Sequence, residues 1–531
     1  GAGNDSLTGS DAADTIIGGA GRDTLAGGAG GTDSLAGGDG DDFYLIDDAS
    51  DAVAESVNGG VDAVRTALAA YTLADNVENI SAGNAIAHAF IGNASNNVLA
   101  GAANADTLVG GEGDDQLNGA GGADSLVGGN GNDIYYVDNA GDVVVEQPGG
   151  GTDVVRTWLG SYSLAGLGEV ETLIDQNGIA SLLTGNDLGN LIIGNAGNDT
   201  LVGAGGSDTL FGSAGDDSLY GGAAVDRMVG GDGDDSYLID SVGDLVVEGA
   251  GQGIDTLRTT LAQQSLAANV EHLIGLHDAG QYLVGNALDN SIIGAGGSDT
   301  LAAGTGNDTL DGGAGPDKLY GGQGNDLYIV TTGDQVFEAL NFGADTMLAT
   351  EGTSVVLGVN VEVLLLGGTV ARGLGNAIDN LVIGNASANV LYGVGGADSL
   401  AGMGGADILI GGAGADTLAG GAGSDQFRLS FAADSAPGQR DVIVDFTFDA
   451  ANGFDRVDLR LIDTDPATPL DQGFAYIGAA DFGAGGTAQL RVTSLAPGVQ
   501  LAEGDVDGDG TADLAVEIHS AAAPVAGWFL L

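Results

Sequence analysis

Cysteine is absent from the 531 residues, which excludes both a disulfide framework and a thiolate metal site. Basic residues are nearly absent: 12 Lys+Arg stand against 75 Asp+Glu, for a formal net charge of −63, and Lys318 is the only lysine. A surface of that sign offers nothing to a phosphate backbone or an anionic membrane, so no nucleic-acid binding is expected. No stretch approaches the ~20 apolar residues of a membrane span. Only 7 prolines accompany 100 glycines, which fits neither collagen nor a proline-rich linker. The histidines His88, His272, His277 and His519 form no H-E-x-x-H, and no G-x-S-x-G serine is present. No catalytic constellation is legible, and the chain is not expected to be an enzyme.

High net charge usually accompanies disorder. Here 43% of the residues are hydrophobic and the mean hydropathy is +0.16, values that a disordered acidic tail does not reach. A chain both apolar and strongly acidic needs its carboxylates neutralised, and a divalent cation is the simplest agent.

Internal repeats are visible from the first residue. The chain opens GAGNDSLT, GSDAADTII, GGAGRDTLA, GGAGGTDSLA, GGDGDDFYL, following the template G-G-x-G-x-D-x-U-x with U a large apolar residue. The acidic position is Asp5, Asp14, Asp23, Asp33 and Asp42, and U is Leu7, Ile16, Leu25, Leu35 and Tyr44. Four further runs carry Asp106, Asp115, Asp124 and Asp133; Asp199, Asp208, Asp217, Asp226 and Asp235; Asp299, Asp308, Asp317 and Asp326; and Asp398, Asp407, Asp416 and Asp425. Asparagine takes the aspartate position where each later run opens, at Asn97, Asn190, Asn290, and at Asn380 and Asn389. Each run closes on an aromatic at U: Tyr44, Tyr135, Tyr237, Tyr328 and Phe427. The runs cover about 1–44, 83–136, 185–237, 285–328 and 375–427. Spacers such as DDASDAVAESVNGGVDAVRT and DNAGDVVVEQPGGGTDVVRT separate them, making a larger repeat of roughly a hundred residues. The short β-branched stretches of the spacers, bounded by Gly and Asp, read as strands through which the repeat continues with longer turns. Arg65, Arg156 and Arg258, in DAVRT, DVVRT and DTLRT, are expected to ion-pair within the repeats. His88 takes the aspartate position of a degenerate nonapeptide, a structural place, and His272 is expected on a solvated face.

The spacing dictates a chemistry. The last three residues of a nonapeptide can form a strand with U inward, and the six before it must turn the chain, for which glycine supplies positive φ. Two units complete one coil, so each loop stacks on the loop two units away. Stacked strands lie ~4.8 Å apart, and calcium–oxygen bonds are ~2.3–2.6 Å. One Ca²⁺ centred between stacked loops therefore reaches both, with aspartate carboxylates and loop carbonyls as hard oxygen ligands. Without it, carboxylates 4 Å apart repel by ~4 kcal/mol at an effective dielectric of 20. A thin file of U side chains cannot offset chain entropy by itself, so metal binding and folding form one equilibrium. One ion per stacked pair gives on the order of fifteen to twenty ions. The fold class expected is all-β, an elongated parallel β-roll, or β-solenoid, of nonapeptide repeats over 1–426 with a β-rich C-terminal cap over 427–531.

These residues resemble the repeats-in-toxin (RTX) family, whose nonapeptide is a known calcium-binding β-helix repeat. The resemblance covers nearly the whole chain. It implies a parallel β-roll, export by a type I secretion system, and folding outside the cell in millimolar calcium. The sequence begins inside a repeat at Gly1 with no N-terminal signal peptide, as expected of a processed product or a fragment.

After Gly420–Gly423 the periodicity ends. The following segment is similar to the C-terminal region of serralysin-type secreted proteins, on Asp441, Ile443, Asp445, Phe446, Asp455, Asp458 and Leu459. The apolar ending Trp528-Phe529-Leu530-Leu531 resembles an uncleaved secretion signal, with Gly527 where relatives carry an acidic residue. Asp505, Asp507, Asp509 and Asp513 follow D-x-D-x-D-G-x-x-D, an EF-hand-like loop with Gly510 at its turn but Val516 in place of the bidentate glutamate. Weak Ca²⁺ binding and a plain Asp/Gly turn are both compatible with it.

Two functions fit. One is a secreted structural protein, an extracellular filament, surface layer or matrix component that self-associates through calcium. The other is the calcium-binding and secretion module of a larger RTX protease, lipase or alginate epimerase. The number of runs favours the first.

Overall fold

The protein's structure, a computed structural model, describes residues 1–449, 453–463, 473–483 and 487–531. It divides into two compact units, Gly1–Arg258 and Thr259–Leu531. Both are parallel β-solenoids built by one rule.

In the first unit the end of each nonapeptide is a strand. Ser6–Thr8 pairs in parallel with Thr24–Ala26, placing Leu7 opposite Leu25, and Thr15–Ala20 pairs with Ser34–Asp39, placing Ile16 opposite Leu35. Consecutive nonapeptides thus fall in different sheets, and those two units apart stack, as the spacing predicts. Because strand side chains alternate, every U residue points between the two sheets: Leu25, Leu35, Tyr44, Leu108 and Leu117 are wholly buried. Each such leucine contributes about 1.5–3 kcal/mol of transfer free energy. Within the nonapeptide runs the core is a single file of them, one per nonapeptide, and the spacers add buried residues such as Val77, Val137 and Val170. The turns depend on glycine where φ is positive, for example 119° at Gly19 and 124° at Gly21, a region that a Cβ disfavours.

The spacers continue the stack. Phe43–Ile46, Ala63–Thr66, Asn79–Ala82 and Val98–Ala100 are successive parallel neighbours, with Tyr44 opposite Val64, Val64 opposite Ile80 and Ile80 opposite Leu99. The additional spacer residues are absorbed in the turns. The second unit repeats the arrangement through Leu327–Val330, Thr346–Ala349, Val363–Leu366 and Leu381–Ile383.

The parallel register also runs past the last nonapeptide: Thr417–Ala419 pairs with Asp441–Ile443, and Gln426–Arg428 with Arg456–Asp458. Leu514–His519 then joins Asp441–Ile443 and opens an antiparallel meander with Val499–Asp505 and Gln489–Ala496. This meander covers strand groups that would otherwise invite another chain. Phe529–Leu530 pairs with Arg456–Asp458, and the wholly buried Trp528 ring packs 4.8 Å from Phe446. The apolar ending is therefore folded into the cap. Helix among the described residues is confined to two short 3-10 turns, Ala432–Ser435 and Ala526–Trp528, and no helix is long and apolar enough to cross a membrane.

One expectation is corrected. Arg65 and Arg156 form no ion pair among the described residues. Each lies at the third position of its strand, paired with uncharged neighbours: Arg65 with Leu45 and Ser81, Arg156 with Tyr136 and Ile174. His88 is buried in the aspartate row, its ring nitrogens 2.8 Å from Leu68 O and 3.2 Å from Asn84 O, a structural place as expected.

Candidate metal centre

Each nonapeptide aspartate lies just before its strand, so the parallel register stacks aspartate over aspartate. One carboxylate oxygen ties the stack together. The backbone N–H of Asp5 donates to Asp23 Oδ1, that of Asp23 to Asp42 Oδ1, and that of Asp42 to Asp62 Oδ1, each at 2.7 Å. The parallel column passes from Asp14 to Asp33 and Asp51. In the next run the columns are Asn97, Asp115, Asp133, Asp153 and Asp106, Asp124, Asp142. The third run has one column of Asp199, Asp217 and Asp235 and another that opens at Asn190 and continues through Asp208 and Asp226. In the second unit Asn290, Asp308, Asp326 and Asp299, Asp317 form the columns, followed by Asn380, Asp398, Asp416 and Asn389, Asp407, Asp425.

In most of these aspartates the other oxygen, Oδ2, is turned inward and left without a partner, whereas Oδ2 of Asp14 and Asp106 accepts from Ser10 N and Ala102 N at 2.6 and 2.7 Å. Oδ2 is buried and unpaired at Asp23, Asp115, Asp217, Asp308 and Asp407, among others. Its surroundings recur. A Cβ on Gly18 would collide with Asp23 Oδ2 and lie 2.8 Å from the carbonyl oxygen of Gly37, the glycine stacked above. Gly110, between Asp115 Oδ2 and Gly128 O, and Gly212, between Asp217 Oδ2 and Gly230 O, repeat this. The first glycine of the template is therefore required because a side chain there would fill the space shared by a carboxylate and a stacked carbonyl. A buried, unpaired carboxylate oxygen beside a carbonyl oxygen is a donor set for a hard cation, and the residues present fit Ca²⁺.

Electrostatics agree. Burial pushes the carboxyls of Asp115, Asp208, Asp235, Asp398 and Asp407 up to about 7, against the opposing effect of the N–H donated to Oδ1. Neighbouring carboxylates add to the rise, Asp133 for Asp115 and Asp226 for Asp208. A cation removes both causes.

Asparagine at the run openings satisfies itself instead. Asn97 Nδ2 donates at 3.2 Å to Val77 O and Glu78 O, and Asn190 Nδ2 at 3.1 Å to Val170 O. Asn380 and Asn389 do the same towards Val361 O and Val370 O, and Asn290 towards Glu271 O. The amide oxygen Oδ1 then faces the glycine cradle in place of Asp Oδ2, and it already accepts an N–H, from Asn93 at Asn97 and from Asn186 at Asn190. Asp5 and Asp14, at the first turn, are only half-buried.

Sequence reasoning missed the spacer aspartates. Asp62, Asp153 and Asp345 accept from Asp42, Asp133 and Asp326 at 2.7, 2.7 and 2.8 Å, and Asp51, Asp142 and Asp334 close the alternate columns. Glu78, Glu171 and Glu362 extend them one turn further. The signal was present: VDAV, TDVV and ADTM repeat the D-x-U core of the nonapeptide, with its third glycine two residues earlier at Gly60, Gly151 and Gly343 but without the leading glycine pair. Past the last run, Asp441 and Asp455 accept from Asp416 and Asp425.

Carboxylate oxygens of Asp505, Asp507 and Asp509 meet within 4.8 Å in the turn between Val499–Asp505 and Leu514–His519. The turn is already knit by its own hydrogen bonds, Gly508 N to Asp505 Oδ1 at 2.8 Å and Gly510 N to Asp505 Oδ2 at 3.0 Å. Asp513 is outside the cluster, its Oδ2 accepting from Val506 N at 2.7 Å.

These columns coincide with a known repeat. The RTX calcium-binding nonapeptide repeat matches residues 1–31, 91–126, 100–135, 110–144, 184–215, 202–237, 293–328, 374–402 and 392–427. The chain carries RTX calcium-binding repeats in all five runs. Among solved structures it is similar to a subunit of the mannuronan C5-epimerase of Azotobacter vinelandii, determined in solution. The identity is 28% over 29% of this chain and 80% of that one, with a TM-score of 0.23. No curated protein matches the chain.

Proposed function

We propose that this carrier of RTX repeats is a secreted calcium-binding structural protein that folds on Ca²⁺ outside the cell and self-assembles into an extracellular filament, surface layer or matrix. The observation that carries the reading is the column of buried, unpaired Asp Oδ2 atoms beside stacked glycine carbonyls, repeated run after run. The ligands are the nonapeptide aspartates named above. Export by a type I system follows from the family resemblance of the repeats and the C-terminal region.

Ion sharing between stacked loops is testable. Asp217 accepts from Asp199 N and its own N–H donates to Asp235 Oδ1, so it belongs to two interlayer contacts. Asp217→Ala is expected to abolish two Ca²⁺ sites in a calorimetric count, and Asp513→Ala at most one. Equal losses would mean that each loop holds its ion alone.

Assembly is supported by the outer surface of the sheets. Ile91, Val109, Val127 and Val145 stand in register as one outward apolar file, with Ile91 and Val145 exposed. Net charge opposes lateral approach until calcium neutralises it. Self-association is therefore expected to require more calcium than folding, because surface carboxylates are weaker ligands than the loops. Light scattering across a Ca²⁺ titration reads this directly. A chain that folds with calcium and stays monomeric at high protein concentration would leave the other reading, the calcium-binding and secretion module of a larger RTX enzyme.

A further inference from the structure

In each spacer of the four that follow a tyrosine-closed run, one glutamate occupies a place that glycine holds elsewhere. Val53 is in register with Leu35, so Glu55, two residues on, lies over Gly37, the first glycine of the last nonapeptide. Glu146, Glu248 and Glu338 occupy the same position after Val143–Val145, Leu245–Val247 and Gln335–Phe337. At an ordinary loop the space above that glycine holds an Asp Oδ2 and a stacked carbonyl oxygen. At Gly37 a Cβ would meet Asp42 Oδ2 and, at 2.5 Å, Glu55 Oε1. The glutamate carboxylate has replaced the carbonyl.

A third carboxylate completes the group. Oxygens of Asp42, Glu55 and Asp62 lie within 4.8 Å of one another, as do those of the groups around Glu146, Glu248 and Glu338. Oxygens that share one Ca²⁺ at ~2.3–2.6 Å lie no more than about 5 Å apart, so each group has the dimensions of one coordination sphere. The aspartates are also buried with an oxygen unaccounted for: Asp42 Oδ2 and Asp62 Oδ2, and likewise Asp133 Oδ2 and Asp153 Oδ2, have no partner. The closing tyrosine holds the glutamate in place. Tyr44 OH donates to Glu55 Oε1, as Tyr135, Tyr237 and Tyr328 do to their glutamates, while Gly37 N donates to Glu55 Oε1 at 3.1 Å.

We propose that each of these four spacer groups binds one Ca²⁺ in addition to the ions of the nonapeptide loops, with Glu55, Glu146, Glu248 and Glu338 as the distinguishing ligands. Three carboxylates concentrate more negative charge than an aspartate with carbonyls, and affinity for calcium rises with ligand charge. The spacer sites therefore fill before the loops and fix the register where the glycine pattern stops. Among the described residues the fifth run shows no such group: it closes on Phe427, which has no hydroxyl, and Asp445 takes the N–H groups of Gly420 and Gly421 at 3.0 and 2.8 Å.

The proposal rests on calcium binding by the repeats, and its test separates the two. Bound calcium is counted in the full chain at low free Ca²⁺, and in a variant carrying Glu55→Gln, Glu146→Gln, Glu248→Gln and Glu338→Gln. The wild type is expected to show a tight class that the variant lacks, with four fewer ions per chain and unchanged β content at millimolar Ca²⁺. Terbium emission excited through tyrosine is expected to fall to a small fraction in the variant, since each tyrosine touches its site. Should the fourfold variant fail to reach the wild-type fold, Glu146→Gln alone is expected to lose one ion. An equal count in wild type and variant overturns the spacer sites and leaves the loop sites standing. A wild type that binds no calcium overturns both.

Discussion

In a chelating buffer at pH 8 the chain is expected to show the far-ultraviolet circular dichroism of coil, and at millimolar Ca²⁺ that of β structure, with a cooperative midpoint. The reason is the balance between one file of U residues and two columns of buried carboxylates. Leaving one buried polar atom unpaired costs about 1–3 kcal/mol, and more when it is charged. Roughly ten such atoms already outweigh the ~5–15 kcal/mol by which domains are stable, and unpaired Asp Oδ2 atoms occur in all five runs. The U residues cannot compensate, because a two-sheet coil of this width admits only one inward side chain per nonapeptide. Calcium supplies the missing partner, so its binding energy is folding energy. Equal β content with and without chelator would remove calcium from the role of organiser.

The second large effect is on pH, in the absence of calcium. Burial raises Asp115, Asp208, Asp235, Asp398 and Asp407 from the ordinary carboxyl value near 3.8 to about 7. Between those values the folded chain holds protons that the unfolded chain has released. Stability therefore increases as pH falls from about 7 towards 4, by about 1.4 kcal/mol per pH unit for each extra proton held, and is lost as pH rises through 7. A calcium-free chain that is coil at pH 8 is expected to gain β structure on acidification to pH 5. Calcium competes with the same protons, so its affinity is expected to increase from pH 5 to pH 8. Dichroism in chelator and calorimetry at several pH values read the two effects. A calcium-free signal unchanged across this range would show that the carboxylates are not the barrier to folding.

Much of the architecture was legible because the repeat is short and its chemistry strict. D-x-U at regular intervals set the strand, the inward residue and the stacking of alternate units, and Leu25 beneath Tyr44 in the file is what that pattern requires. The spacers were legible as strands but not as ligand positions. Asp62 keeps Gly60 but lacks a leading glycine pair like the Gly37-Gly38 by which Asp42 was recognised, Glu55 lacks the template altogether, and only the register of Tyr44 over Val64 and Leu35 over Val53 brings them to the same layer. Asparagine at the run openings matched the motif by position, yet Asn97 Nδ2 donates to Val77 O and Glu78 O, and its Oδ1, in the cradle where most aspartates leave an oxygen bare, already accepts from Asn93 N.

The coil period, the buried file, the need for a divalent cation and the exclusion of cysteine-based or nucleic-acid chemistry are all written in the order of residues. These follow from local rules: glycine at positive φ, alternation along a strand, and the sum of charges. Stacking in three dimensions was needed to select which oxygen of each carboxylate is bound within the column and which is left facing a glycine cradle. It also brings a glutamate from one spacer strand to aspartates from two layers of the other sheet, and packs the apolar ending against Phe446. Those contacts join residues of different sheets or layers, and the order of residues along the chain does not state which of their atoms are neighbours.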